Sequence, residues 1–271
     1  YKKNSKPDFS VTNERKTGFY GNFSFVYDER FILDGTLRFD GSSVFGSNKR
    51  FTNIWALGAA WNIHKEDFMQ EADWISRLKI RASVGNPGNS NFNTYQTYAT
   101  YAYNASLQNQ FGLGLMVSTL GNPNLRWQQT NKLTVGLDAT LVNNKLTALI
   151  DWYREVTDPL LVKMAVPSST GSKQYITNFG KQETQGIEGV FNYTVFQKPE
   201  NKSLRLNLTV THKKAEYTGI GNKLEGMNES LRETSLVRYR DGGSPYSIWA
   251  LPSAGIDPAT GQEIFIKKDG S

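Results

Sequence analysis

From Leu133 the chain alternates without a break: Leu133, Val135, Leu137, Ala139 and Leu141 are apolar, while Thr134, Gly136, Asp138 and Thr140 between them are small or polar. A period of two places the first set on one face of an extended strand and the second on the other. After Val142 the pair Asn143-Asn144 tolerates positive φ; Leu146, Ala148, Ile150 and Trp152 then resume the apolar face, with Thr147, Asp151 and Tyr153 opposite. This predicts a β-hairpin closed by a two-residue turn. Leu204, Leu206, Leu208 and Val210 alternate with Arg205, Asn207, Thr209 and Thr211, so the second face is wet. Similar alternation over residues 19–27, 31–39, 55–63, 78–84 and 187–195 brings the expectation to about eight strands.

The links between these strands take turns in length. Residues 28–30 make a tight link, 40–50 a longer one, 64–77 an intermediate one with room for a short helix, and 85–126 a very long one. The pattern then repeats, with Asn143-Asn144 short, 156–184 long, 197–203 short, and everything after Glu216 long again. In an up-and-down meander every second connection lies at the same end, so one end gathers short turns and the other long loops. Outer-membrane barrels show this asymmetry, with short periplasmic turns and long extracellular loops. Several strands run to about 9–12 residues, beyond the globular mode of about 5–6 and suited to a tilted crossing of a hydrocarbon layer. Tyr20, Tyr27, Trp55, Trp61, Trp127, Trp152 and Tyr153 fall near strand ends, where an interfacial girdle would place them. Alternation alone leaves a soluble β-sandwich open as well, with the same aromatics as its core.

Composition sharpens this picture. Aromatics reach 13% of 271 residues against 38% hydrophobic residues overall, with 24 glycines, a balance that favours pleated surfaces over a helical bundle. The chain has no cysteine, which removes disulfides, thiolate metal sites and thiol nucleophiles. No apolar run of about 18 residues offers a transmembrane helix, which does not bear on a barrel. The first residues, Tyr1-Lys2-Lys3-Asn4, carry neither Met nor an apolar leader and read as a mature or truncated start.

Catalytic chemistry finds no footing. His64 and His212 stand far apart, no HExxH, GxSxG or P-loop occurs, and Gly112-Leu113-Gly114 lacks the strand-turn-helix setting of a dinucleotide site. Asp28-Glu29, Glu66-Asp67 and Asp257 lack calcium-loop spacing, so no metal or cofactor is expected. Asn22, Asn192 and Asn207 open glycosylation sequons inside strands, where chance explains them best. The net charge of +6 is spread over scattered basic residues without the motifs of an RNA-binding module, so no nucleic-acid partner is expected.

Several segments together carry a resemblance. They are Tyr27-Asp28-Glu29-Arg30-Phe31-Ile32-Leu33; Leu37-Arg38-Phe39-Asp40-Gly41-Ser42-Ser43-Val44-Phe45-Gly46, with Val44 where an Arg is usual; Ala59-Ala60-Trp61-Asn62-Ile63; and Glu66-Asp67-Phe68. Leu78-Lys79-Ile80-Arg81-Ala82-Ser83-Val84-Gly85, Asn122-Pro123-Asn124-Leu125-Arg126-Trp127, Asn178-Phe179-Gly180 with Gln185-Gly186-Ile187-Glu188, and Gly255-Ile256-Asp257-Pro258-Ala259-Thr260-Gly261 follow in order. In these motifs the chain resembles the barrel of SusC/RagA-type TonB-dependent outer-membrane transporters of Bacteroidetes.

The resemblance implies an all-β, antiparallel, up-and-down wall belonging to a transmembrane barrel of the 22-strand type. It implies that residues 1–271 are part of that barrel domain, without plug, TonB box, signal peptide or closing strands. It further implies a location in the outer membrane among its lipids, a SusD-type surface lipoprotein as lid, and coupling to TonB-ExbB-ExbD through an N-terminal part. The cargo would be oligosaccharides or peptides, imported without any bond being made. Candidate substrate contacts are Tyr95, Tyr98, Tyr101 and Tyr103 in the longest loop, whose rings could meet sugars or peptide side chains, with Trp127 beside them. A strand pair carrying these tyrosines on one face is the plainer alternative. Arg38, Arg81, Asp138, Asp151, Glu188, Arg205 and Asn207 form the polar set facing the lumen or the plug. Two rival readings are a soluble carbohydrate-binding β-sandwich and a barrel component of a secretion or surface complex.

Overall fold

The computed structural model describes residues 11, 13–43, 48, 50–87, 97–110, 112–172, 174–198, 202–221, 223–230, 232, 235–250 and 252–266. The elements are β1 (Lys16–Tyr27), β2 (Phe31–Ser42), β3 (Phe51–Asn62), β4 (Ile75–Asn86), β5 (Thr100–Asn109), β6 (Gly112–Thr119), β7 (Thr130–Leu141), β8 (Leu146–Thr157), β9 (Leu161–Ala165), β10 (Gln174–Asn178), β11 (Lys181–Lys198), β12 (Lys202–Thr218), α1 (Glu225–Ser230), β13 (Ser253–Ile256) and β14 (Glu263–Phe265). Eight of them form one antiparallel sheet in the order β1-β2-β3-β4-β7-β8-β11-β12. These are the eight strands that alternation predicts, each beside its sequence neighbour once the loop hairpins are set aside.

The ladders assign every residue to a face. Val26, Ile32, Ala60, Arg81, Gly136, Asp151, Glu188 and Thr211 form one row across all eight strands. The adjacent row, Tyr27, Phe31, Trp61, Ile80, Leu137, Ile150, Gly189 and Val210, points the other way and is apolar throughout. Among the described residues no second sheet covers this apolar face, and its side chains from Phe19 to Val210 are largely exposed. A sandwich would bury that face, so the sheet is a single wall.

The apolar band slides along the strands from one edge of the sheet to the other. In β1 it ends at Tyr27; in β12 the residue of the same row is Val210, yet the band continues through Leu208 and Leu206 to Leu204. That drift of six residues is roughly 20 Å over seven inter-strand steps of about 4.8 Å, a tilt of roughly 30°. Strands of transmembrane barrels tilt by about 35–45° for the same reason, since a horizontal apolar layer must cut obliquely across the ladder.

The short links all fall at one end. Asp28-Glu29 adopt positive φ in the β1–β2 turn. Between β3 and β4, where a short helix fits, the chain makes two 3-10 turns, Ile63–Lys65 and Asp67–Met69. The β7–β8 turn is wider than the pair expected: Val142, Asn143 and Asn144 all have positive φ. Its flanks are engaged by neighbours, the Val142 N–H donating to the Trp74 carbonyl at 2.7 Å and the Thr194 N–H to the Lys145 carbonyl at 2.8 Å.

The long connections build a separate layer at the opposite end. β5–β6, β9–β10 and β13–β14 are two-stranded sheets within them. The principal buried apolar cluster of the described residues lies at this end: Leu160, Val162, Ile220 and Leu224 around Tyr217 at the loop end of β12, with Met164, Phe179 and Tyr239 against them. A one-layer sheet buries few of its own side chains, Ala139, Tyr153 and Ala215 among them, so the apolar cluster of the described residues gathers where loops fold over the wall's end.

Candidate functional site

The polar face is most densely furnished on β4, β7, β8 and β11. The Arg81 guanidinium donates through Nε to Asp138 Oδ1 at 2.9 Å and through Nη2 to Asp151 Oδ2 at 2.7 Å. It reaches both because its direct cross-strand partner is Gly136, where a Cβ would stand 2.7 Å from Arg81 Cζ. Glu188 lies directly opposite Asp151 on the other ladder, and two carboxylates so placed repel. Arg81 satisfies Asp151 through Oδ2 alone; Oδ1 is buried without a hydrogen-bond partner, and no ion pair forms at Glu188 among the described residues. Lys213 lines the same cleft without an ion pair among the described residues, so what the arrangement lacks is a donor placed at Asp151 Oδ1.

One row toward the loops, the Tyr153 ring covers Gly186, where a Cβ would meet its hydroxyl at 2.7 Å. Lys132 pairs with Glu155 at 2.7 Å and lies 5.1 Å from the Tyr153 ring centre. Lys213 lies 4.3 Å from the ring centre of Tyr246, which descends from the segment after β12. With Arg81, Asp151 and Glu188 these side chains enclose a polar cleft of about 310 Å³.

Of the polar set expected from the sequence, Arg81, Asp138, Asp151 and Glu188 come together. The other three share the same face but stand apart: Arg38 pairs locally with Asp40 at 2.6 Å, while Arg205 and Asn207 lie on β12 opposite Thr194 and Asn192. Lys132, Tyr153, Glu155, Lys213 and Tyr246 were not in that set. Tyr153 was expected in the girdle, yet its parity with Asp151 in β8 already marks the polar face, and Tyr20 likewise lies opposite Arg38. Tyr27, Trp55, Trp61 and Trp152 do lie on the apolar face.

At the loop end, Tyr101 and Tyr103 project from one face of β5 and are 60% and 74% exposed; Tyr98 precedes them and is also exposed. Tyr95 lies outside the described residues. Trp127 is only 7% exposed, so it presents no open ring face. Its motif is a clamp: the Asn122 amide donates to the Ile176 carbonyl at 3.0 Å, Asn178 accepts from the Arg126 N–H at 2.9 Å and donates to its carbonyl at 3.0 Å, and Leu125 is fully buried.

Residues 2–255 match the family model for the TonB-dependent receptor-like β-barrel. TonB-dependent receptor P26 of Formosa agariphila is 30% identical over 224 residues, covering 80% of this chain and 22% of that protein. TonB-dependent receptor SusC of Bacteroides thetaiotaomicron is 27% identical over 246 residues, covering 84% of this chain and 24% of that one. The structure of the RagAB peptide transporter superposes with a TM-score of 0.81 at 27% identity, over 97% of this chain and 28% of the other. The chain thus spans about a quarter of the length of these relatives, which are receptors and a transporter of the outer membrane. An oblique apolar band, an opposite polar face, short turns at one end and folded loops at the other make this eight-stranded sheet a stretch of outer-membrane barrel wall, similar to SusC and to the RagAB transporter, and the chain belongs to the TonB-dependent receptor-like β-barrel family.

Proposed function

We propose that this wall belongs to a TonB-dependent importer that carries oligomeric nutrients across the outer membrane without chemical conversion. The observation that carries the reading is the facing pair Asp151 and Glu188 on the polar side, one carboxylate oxygen buried and unpartnered. A buried carboxylate oxygen without a donor on an inner wall calls for a complementary group, and a donor side chain of a plug filling the lumen would supply it. In this mechanism the polar face holds the plug, TonB driven through ExbB-ExbD by the proton gradient pulls on it, and cargo enters past the displaced segment. A SusD-type lipoprotein over the loop end would act as lid, consistent with exposed Leu236, Ile248 and Trp249 there.

Cargo is read first as oligopeptide, supported by the likeness to the RagAB peptide transporter. Oligosaccharide is the second reading, favoured by the two open rings of Tyr101 and Tyr103, which suit sugar faces. The test inactivates the gene for the full-length protein and compares growth on oligopeptides and on oligosaccharides as sole nutrient. Selective loss on one class supports import and names the cargo. Unchanged growth on both, with a co-purifying secretion machinery, would replace import by a surface-complex role.

A further inference from the structure

The apolar face carries a recess of about 450 Å³ close to the short-turn end. Its floor is small, Ala59 directly opposite Ala82, and its walls are Phe25 and Leu33 on one side and the stacked rings of Phe31 and Trp61, 6.2 Å between centres, on the other. The recess opens on the membrane side of the wall, among exposed apolar residues of the lipid-facing band. Lipid tails are as apolar as these side chains, so burial by itself gives little preference; an unfilled dent nevertheless forfeits dispersion contacts along its whole lining.

The rim above the recess is ionic. Trp61 donates its indole N–H to Glu66 at 2.9 Å, Glu66 also accepts from Arg30 at 3.1 Å, Arg30 binds Asp28, and Lys65 binds Glu29 at 2.7 Å. Both cations of this cluster are engaged, while Asp28, Glu29, Glu66 and Asp67 leave it with an excess of negative charge. Phe68 and Trp74, exposed on the same link, mark the level of the membrane surface.

We propose that the recess is a lipid site that holds one acyl chain of a phospholipid whose headgroup carries a primary amine, the ammonium lying against the carboxylates of the 28–30 and 63–67 segments. Charge decides the headgroup: an anionic lipid would meet the surplus carboxylates, whereas the ammonium of an ethanolamine headgroup complements the cluster's net negative charge. The small floor decides the tail, since a side chain as large as phenylalanine at position 59 or 82 would fill the space.

The test uses the full-length protein extracted in mild detergent and reconstituted in mixed ethanolamine and glycerol phospholipid, with retained lipid read by native mass spectrometry. Ala82→Phe and, independently, Ala59→Phe should each abolish retained ethanolamine phospholipid, while Leu206→Phe on the same face outside the recess should not. Glu29→Gln frees Lys65 and should lower the ethanolamine-over-glycerol preference by about two- to fivefold, the worth of one exposed charge pair. Retention unchanged in both recess variants would overturn the proposal. So would a change in oligomeric mass in Ala82→Phe, which would assign the recess to a protein neighbour.

Discussion

The guanidinium of Arg81 lies across Gly136, its direct partner on the β4–β7 ladder, and grips Asp138 on one side and Asp151 on the other. The glycine is what makes the bridge possible, because any Cβ at that position would occupy the space of Arg81 Cζ and Asp151 Oδ1. Gly136→Val should therefore displace the arginine and break both pairs. The group is about one-third exposed, so the loss lies between a surface pair and a buried one, about 1–2 kcal/mol. The urea midpoint of the full-length barrel in detergent should fall accordingly. Arg81→Lys should lose a similar part, because a point charge cannot hold both carboxylates in a planar fork.

Asp151 and Glu188 predict a sign that depends on what fills the barrel. In a bare wall, Glu188→Gln relieves like-charge repulsion and stabilises by about 0.2–1 kcal/mol. With a basic plug residue docked between them, the same change removes a partner and loosens the plug. In planar bilayers the full-length Glu188→Gln protein should open under milder denaturant than the wild type. An unchanged opening threshold would remove the plug from this part of the wall.

The turn end carries a pH dependence with a definite direction. Glu66 is held below its ordinary carboxylate range, first by the Trp61 indole N–H and then by Arg30, and Glu29 is lowered by Lys65. A depressed folded-state pKa contributes stability that is present above the unfolded value of about 4.3 and is lost as pH falls through the folded value. The clasp between the 28–30 turn and the 63–67 segment should hold at neutral pH and release only in acid. The indole N–H resonance of Trp61 should titrate with a midpoint below the ordinary Glu value, and Glu66→Gln should abolish that titration.

Much of this was legible from alternation alone, because a period of two is insensitive to what the sheet packs against. Leu133 to Leu141 and Leu204 to Val210 reveal their apolar faces whether the partner is lipid or a second sheet. What alternation could not supply was register: that Glu188 meets Asp151, or that Arg81 meets Gly136, depends on two ladders joining strands that are distant in sequence. Parity did mark Tyr153 and Tyr20 for the polar face, and reading them as girdle residues gave position along the strand more weight than position across it. Trp127 was obscured for another reason. Its burial comes from loops folding on loops, through the Asn122 and Asn178 hydrogen bonds, and no periodic signal announces such packing.

The Asn178 side chain joins the segment before β7 to the end of β10 through both polar groups of Arg126. Asn178→Ala should leave that N–H and carbonyl without their partners, weakening local closure by about 1–2 kcal/mol. Hydrogen exchange at the Arg126 amide should quicken by about 5- to 30-fold. The exchange rates of β2, β3 and β4 should stay as they are, since the clamp touches none of them.

Tyr101 and Tyr103 provide the sharpest test of whether the loop layer meets cargo. They are exposed, adjacent on one face of β5, and opposite Val117 and Leu115, so truncating them removes ring surface without opening the wall beneath. If they contact substrate, Tyr103→Ala should weaken cargo binding by about fivefold, as expected for one aromatic contact worth about 1 kcal/mol, with Tyr101→Ala similar. The urea midpoint of the barrel should not move in either variant. If cargo affinity is unchanged while the affinity for a lid lipoprotein falls, the rings belong to a protein contact. Binding measured with and without the lipoprotein separates the two, because only a substrate contact lowers affinity in its absence.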